Sequence, residues 1–211
     1  LIGGLAGDAL TASDFNVAVG YSALSSDTLG ARNVAVGHEA LASQNFTTAT
    51  TSYNTAVGMQ AGRLVTTGTQ NTLIGALAGD ALTSGDNNVV VGMNSLSTDT
   101  LGDRAVAIGT EALANQNFTT TTDNYNVAVG FHAGNDITTG IFNVLIGGLS
   151  GDAITDADFN VAVGTNTLST NTLGSQNVAV GNAALNAMNP ATATDMYNTA
   201  VGASAGLSVT T

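Results

Sequence analysis

Residues 16–24 read Asn-Val-Ala-Val-Gly-Tyr-Ser-Ala-Leu, and the same pattern returns at residues 33–41 and 177–185. Its centre, a Val-Gly or Ile-Gly pair, occurs twelve times, with glycines at Gly3, Gly20, Gly37, Gly58, Gly75, Gly92, Gly109, Gly130, Gly147, Gly164, Gly181 and Gly202. The glycines follow one another at 17-residue spacings, except for 21-residue spacings after Gly37, Gly109 and Gly181. A short repeat of this kind is typical of a solenoid, in which each coil packs only on its neighbours. The sequence therefore predicts an all-β fold, a parallel β-roll or β-solenoid of twelve coils.

A longer, 72-residue period is superimposed on the coils. Residues 1–10 (LIGGLAGDAL) are echoed at residues 73–82 (LIGALAGDAL) and 145–154 (LIGGLSGDAI). The whole chain of 211 residues is thus one repetitive module with blocks 1–72, 73–144 and 145–211. The third block is shorter than the other two, so we expect the chain to be a fragment of a longer array.

The residues before each glycine predict a short strand. The position directly before the glycine is always Val or Ile, the position three before it is Val or Thr, and most of the residues between them are Ala. Branched side chains favour strands, and residues two apart share a face. If Ala points into the narrow coil, the branched side chains form an uncovered outer stripe larger than soluble monomers tolerate. We then expect lateral self-association through Val19, Val36, Val57, Ile74, Val91, Ile108, Val129, Ile146, Val163, Val180 and Val201. The opposite assignment, with Val inside, keeps the fold but weakens the case for an oligomer.

An asparagine precedes the strand in almost every coil. The positions are Asn16, Asn33, Asn54, Asn71, Asn88, Asn126, Asn143, Asn160, Asn177 and Asn198, and Ala105 is the single departure. Asn tolerates left-handed backbone angles at a corner, and stacked amides can form a ladder of hydrogen bonds. We therefore predict an Asn ladder. The glycine that ends the strand is expected to need a positive φ or a close approach of two backbones.

The remainder of each coil contains a second apolar segment and a polar turn. Residues 21–24, 38–41, 110–113 and 182–185 are interpreted as a second strand or extended wall, whose Ala and Leu complete the core. The 21-residue coils carry their extra residues within 44–53, 116–125 and 186–197, and the only proline, Pro190, lies in the third insertion. Insertions in a solenoid map to one face, so these loops are expected to recur along one side.

Composition limits the possible partners. The chain has three arginines, no lysine and a net charge of −12, which argues against nucleic-acid binding because phosphates find almost no cationic partners. Cysteine is absent, which excludes disulfides and Cys-zinc sites. No apolar run approaches the roughly 18 residues of a membrane span.

No residue set in the sequence predicts catalysis, a cofactor or a metal centre. His38 and His132 stand at different coil positions, and Asp8, Asp80 and Asp152 recur only once in each 72-residue block, as do Glu39 and Glu111 in the first two. Calcium-binding rolls place Asp in every turn, so Asp156 and Asp158 are at most a weak calcium cluster. Ice-binding arrays need Thr on a flat face of every coil, whereas the Thr run 119–122 lies in an insertion. Residues that every repeat contains are interpreted as structural, and the chain is not predicted to be an enzyme.

The phrase Asn-Val-Ala-Val-Gly-x-x-Ala-Leu, at residues 16–24, 33–41 and 177–185, resembles the head repeats of YadA-like trimeric autotransporter adhesins. It is also similar to repeats in phage tail fibres. The resemblance implies a left-handed parallel β-roll, lateral packing of rolls into a homo-oligomer, usually a trimer, and a role in adhesion outside the cell or on a virion. The adhesin heads have shorter coils and no 72-residue period, which is where this chain departs from them.

Two classes of function are compatible with this sequence. The first is a structural shaft segment of an extracellular adhesive fibre or filament on a cell surface or virion, which attaches to cells or surfaces. The second is a ligand-binding module of a tail fibre, whose 21-residue coils grip a glycan or a protein through their loops.

Overall fold

The computed structural model describes all residues 1–211, which form an all-β chain without helices. Its strands contain two or three residues each. In chain order they are β1 (Val17–Val19), β2 (Gly30–Ala31), β3 (Val34–Val36), β4 (Thr50–Thr51), β5 (Thr55–Val57), β6 (Thr72–Ile74), β7 (Val89–Val91), β8 (Gly102–Asp103), β9 (Val106–Ile108), β10 (Thr122–Asp123), β11 (Val127–Val129), β12 (Val144–Ile146), β13 (Val161–Val163), β14 (Gly174–Ser175), β15 (Val178–Val180), β16 (Thr194–Asp195) and β17 (Thr199–Val201).

Eleven of these strands form one parallel sheet that runs the length of the molecule. Its order is β1-β3-β5-β6-β7-β9-β11-β12-β13-β15-β17, which is the order of the coils along the chain. The register places equivalent residues side by side: Val36 pairs with Val57 across a 21-residue coil just as Val19 pairs with Val36 across a 17-residue one. Ile2 adds a further parallel bridge to Val19. The predicted parallel solenoid is therefore confirmed, and at roughly 4.8 Å per coil it is about 55 Å long.

The middle residue of each three-residue strand points into the coil. Ala18 and Ala35 are fully buried, as are the larger Leu73, Val90 and Leu145 at the same position. They belong to a core of 32 residues that also contains the alanines and leucines of the following turn. The flanking Val, Ile and Thr side chains are half-buried or exposed. This confirms the first of the two orientations, with Ala inside and the branched side chains outside.

The segment after each glycine is a run of turns, so its interpretation as a second strand was wrong. In residues 21–24 the second and fourth positions, Ser22 and Leu24, both have a φ of 53°, and the same alternation recurs in other coils. A left-handed angle at every second residue breaks the strand pleat and lets the chain turn the corner. The cost of these angles is offset by bonds between coils, such as Leu24 N–H to the Ala40 carbonyl at 2.9 Å. Ala23 and Leu24 still complete the core, as predicted.

The repeated glycine is required by both its φ and its surroundings. Gly147 has a φ of 132°, and a Cβ added there would lie 2.5 Å from the carbonyl oxygen of Gly164 in the next coil. The next residue, Gly148, has neither constraint, since its nearest neighbour would be 4.0 Å away. The sequence prediction for the repeated glycine is confirmed.

The insertions build a small sheet in each block. The pairs β2–β4, β8–β10 and β14–β16 are parallel, and each joins a 17-residue coil to the 21-residue coil that follows it. Phe46 and Phe118 fold back from the insertions and are buried, whereas the threonines beyond them are mostly exposed. The insertions therefore recur at one position in the coil.

Candidate assembly surface

The outer face of the long sheet is apolar and uncovered. Two columns of branched side chains run along it, one directly before the glycines and one two residues earlier. The first column contains the predicted interface residues Val19, Val36, Val57, Ile74, Val91, Ile108, Val129, Ile146, Val163, Val180 and Val201, all half-buried or exposed. In mid-array Ile74 and Ile146 are each 39% exposed, although other coils lie on both sides of them. Nothing within the chain covers these columns.

A column of aromatic, arginine and amide side chains flanks the branched columns, at the position before the ladder asparagine. It consists of Phe15, Arg32, Tyr53, Gln70, Asn87, Arg104, Tyr125, Phe142, Phe159, Gln176 and Tyr197. Phe142 stacks on Tyr125 and on Phe159, with ring centroids 5.5 and 4.9 Å apart. The Arg32 guanidinium lies 4.8 Å from the centre of the Phe15 ring, an attractive cation–π geometry. Sequence reasoning missed this column, although alignment on the ladder asparagine would have shown it.

A fourth column, directly after the glycines, completes the surface on its other side. Tyr21, Met59, Met93 and Phe131 are each about half exposed there. The His38 ring stacks on Tyr21 at 5.6 Å and does not join a group of metal-ligating side chains. These four columns together are called the assembly face below.

Charge is distributed unevenly around the coil. None of the 15 acidic residues falls in the four columns of the assembly face, and two of the three arginines do. Six residue steps across and twelve coils along give the face an area on the order of 1,000 Å². That area includes polar side chains as well as the apolar branched columns, and it matches one side of a stable protein–protein interface.

The predicted Asn ladder lies just inside this face and is fully buried from Asn33 to Asn177. Most of the ladder Oδ1 atoms accept a hydrogen bond from the backbone N–H of the equivalent residue in the next coil. The Asn71 N–H, for example, donates to Asn54 Oδ1 at 2.9 Å. The Nδ2 groups of Asn54, Asn71 and Asn88 donate across the coil to glycine carbonyls. The left-handed angle falls on the residue before the asparagine, such as Tyr53 at 53°, which corrects the expectation that Asn itself would adopt it. Within the ladder, direct bonds between side-chain amides occur only from Asn126 to Asn177.

A second buried polar group connects the ladder to each insertion. In the first block, Gln44 donates to Asp27 and accepts from Asn54; in the second, Gln116 does the same with Asp99 and Asn126. Burial raises the pKa of the Asp99 carboxyl, against the opposing effect of its hydrogen bonds from Gln116, Phe118 and Gly102. The third block replaces the acid and the amide by Asn171 and Met188, and Asn171 bonds both backbone groups of Gly174. In the third block a neutral amide therefore takes the place of the carboxyl group.

The other polar residues considered in the sequence take part in local contacts. His132 Nε2 lies 2.7 Å from Glu111, and Asp158 accepts from the backbone N–H of Ile141 at 2.7 Å. Asp80 and Asp152 each keep one buried oxygen without a partner, and burial raises the pKa of both. No three His, Asp or Glu side chains come together at metal-binding distance. The chain also has no helix that could cross a bilayer.

Comparison with protein-family models, with curated proteins and with solved structures found no match to this chain.

Proposed function

We propose that this chain is a structural shaft segment of a fibre, in which copies of the chain pack laterally through their assembly faces. The observation that carries the proposal is a face on the order of 1,000 Å², with two uncovered columns of branched side chains along it, that contains no acidic residue in a chain of net charge −12. Solvation alone would favour acidic residues around the whole coil, so their absence from one face is explained by contact with another copy. Because every coil repeats the same pattern, the contact extends along the rod and grows with its length.

We further propose that the fibre is extracellular, on a cell surface or a virion, and mediates attachment. This step rests on the resemblance of residues 16–24 and their repeats to trimeric adhesin heads and tail-fibre repeats, which also favours three chains around a common axis. The coil itself is compatible with a fibre: a stack of short parallel strands is a rod whose length increases by about 4.8 Å with each added coil.

Charge placed on the assembly face tests the lateral packing. Val36 and Val57 are neighbours in the branched column, and the carboxylates of V36D/V57D would be desolvated by a partner chain. We expect this variant to dissociate while it keeps its β-sheet circular dichroism. The matched control is T119D/T120D, which adds the same two charges in an exposed insertion outside the face and should leave the assembly unchanged. Equal dissociation of both variants, or of neither, would contradict the assignment of the face.

A second candidate function uses the 21-residue coils as binding loops. It is favoured by a cavity of about 240 Å³ beside the first insertion, lined by Phe15, Arg32, Thr50 and Thr51 among others. In the second block the equivalent arginine, Arg104, forms an ion pair with Asp123. In the first block Thr51 stands at the position of Asp123, so Arg32 has no carboxylate partner. Binding of a glycan or peptide that the T51D variant abolishes, without a change in assembly, would support this function over the shaft.

A further inference from the structure

A separate polar cavity of about 270 Å³ lies at the corner after the glycines of the first block. Its lining includes Ser22, Ser25, Ser26 and Ser43, with Glu39 and Arg63, and only one lining residue is hydrophobic. Ligand cavities usually combine a concave shape with a few convergent polar groups. This one is almost entirely polar, so it suits a ligand that carries many hydrogen-bonding groups.

Several of these groups have no partner within the chain. The Arg63 guanidinium takes part in none of the ion pairs, and its Nε is buried without a hydrogen-bond partner. The only bond from the serine hydroxyls is a long one, from Ser25 to the Ala42 carbonyl at 3.5 Å. One carboxylate oxygen of Glu39 is already bonded, because Oε2 accepts a hydrogen bond from the Gln60 side chain at 2.8 Å. The other two guanidinium nitrogens of Arg63 are not buried and also form no hydrogen bond within the chain, so they can donate to a ligand in the cavity.

The other two blocks close the same place with their own side chains. In the second block Asn94, Asn115 and Asn135 replace Ser22, Ser43 and Arg63. The Asn135 side chain donates to the Glu111 carbonyl at 3.1 Å, and Asn115 donates to Asn135 at 3.4 Å. In the third block Asn186 donates to the Ser169 hydroxyl at 2.6 Å. No cavity remains at either place. The repeat thus contains two filled versions of the site and one open one.

We propose that the open corner at Ser22, Glu39, Ser43 and Arg63 binds a neutral, hydroxyl-rich ligand, namely a sugar ring. Arg63 supplies donors, Glu39 supplies an acceptor, and serine hydroxyls do both, which is the complement of the hydroxyls of a sugar. A neutral ligand is favoured over an acidic one because Glu39 lines the cavity and because Asp80, near Arg63, partly neutralises the positive charge of Arg63. The net charge of −12 also repels anions. The site lies outside the four columns of the assembly face, so it does not depend on the proposed shaft function.

Titration with single sugars, followed by nuclear magnetic resonance, tests the site. The probes are D-glucose, D-galactose and N-acetyl-D-glucosamine, with D-glucuronic acid as the charged comparison. We expect at least one neutral sugar to shift resonances of residues 22–26, 39–43 and 63 in a saturable way. The R63N/S43N variant, which installs two residues of the second block, should weaken that binding at least tenfold with an unchanged melting temperature.

The reverse exchange provides a gain of function. N94S/N115S/N135R gives the second block the Ser22, Ser43 and Arg63 of the first and should raise the number of sugar sites per chain from one to two. Absence of saturable binding by all three neutral sugars would overturn the proposal. Binding that R63N/S43N leaves unchanged, or tighter binding of D-glucuronic acid than of its neutral counterpart, would overturn it as well.

Discussion

The backbone N–H of Asn126 donates a 2.9 Å hydrogen bond to the side-chain Oδ1 of Asn124, two residues earlier in the same coil. In the first block the equivalent N–H, that of Asn54, bonds instead to Asn33 in the preceding coil at 3.0 Å. The reason is an exchange of side chains: the second block has Ala105 where the first has Asn33, and Asn124 where the first has Ser52. The single gap in the Asn ladder is therefore filled by an amide that enters from another position.

This exchange predicts that N33A and S52N compensate each other. N33A leaves the buried Asn54 N–H without its acceptor, while the Ser52 hydroxyl keeps only its bond to the Ala31 carbonyl, so the change should cost about 1–3 kcal/mol. In N33A/S52N the new amide can bond as Asn124 does, to the Asn54 N–H and to the Ala31 carbonyl, so most of that loss should be recovered. Thermal unfolding of the two single variants and the double variant measures the coupling. A double variant no more stable than N33A would show that the two arrangements are not equivalent.

Adjacent glycines should respond very differently to alanine. G147A combines a strained φ of 132° with a collision against the Gly164 carbonyl, so we expect a loss on the order of 3 kcal/mol. G148A is the matched control, because its Cβ meets nothing closer than 4.0 Å, and it should be neutral. Melting temperatures of the two variants decide the point. Equal effects would mean that the repeated glycine is not required by the stacking of the coils.

The fold should gain stability as the pH falls from neutral towards about 4. Burial raises the pKa of Asp80, Asp99, Asp103, Asp152 and Asp158, so the folded chain binds protons more tightly than the unfolded one. Stability therefore decreases as the pH rises from the ordinary carboxyl pKa to the raised folded pKa. Loss of net negative charge acts in the same direction. Urea unfolding at a series of pH values measures the slope, and a midpoint that decreases on acidification would contradict this expectation.

The third block supplies a variant that removes one of these groups. D99N/Q116M copies Asn171 and Met188, and the introduced amide could then bond Gly102 as Asn171 bonds Gly174. We expect D99N/Q116M to be at least as stable as the parent at neutral pH and to depend less on pH. The control is D8N, an exposed position without a buried network. If D8N changed the pH slope as much as D99N/Q116M, the effect would not come from the buried carboxyl.

The inner and outer positions of one strand should fail in different ways. Ala35 is fully buried, so A35D places a charge in the core and is expected to abolish the β-sheet signal. V36D, one residue later on the outer face, should keep that signal and change only the assembly. Circular dichroism and sedimentation of the two variants separate folding from association. Loss of fold in V36D with a folded A35D would reverse the two faces.

The coil and the orientation of its strand could be predicted from the sequence because both rest on repetition. The pattern of branched Val17 and Val19, the small Ala18 between them and Gly20 after them recurs with few changes, so period and side-chain size together indicate which face is inside. The conformation after the glycine could not be predicted in the same way. Residues such as Ser22 and Leu24 have no preference for a left-handed φ, and they adopt it because the bonds between coils outweigh the local cost.

The polar networks and the aromatic column depend on contacts between coils rather than on residues within one. Asp27 and Gln44 are distant in sequence and meet only because equivalent positions stack. The column from Phe15 to Tyr197 varies in residue type, so it has no consensus residue and is found only when the coils are aligned on the ladder asparagine. The open cavity at Arg63 is likewise a difference between blocks, and comparison of the three blocks reveals it only once the contacts are known.

Light scattering combined with size-exclusion chromatography of the unmodified chain tests the central claim most directly. One chain has a mass of 20.8 kDa, and the proposed trimer would have three times that mass. Lateral packing predicts a defined multimer that persists as the protein concentration is lowered, whereas a stable monomer of 20.8 kDa would contradict the assembly face and with it the proposed fibre.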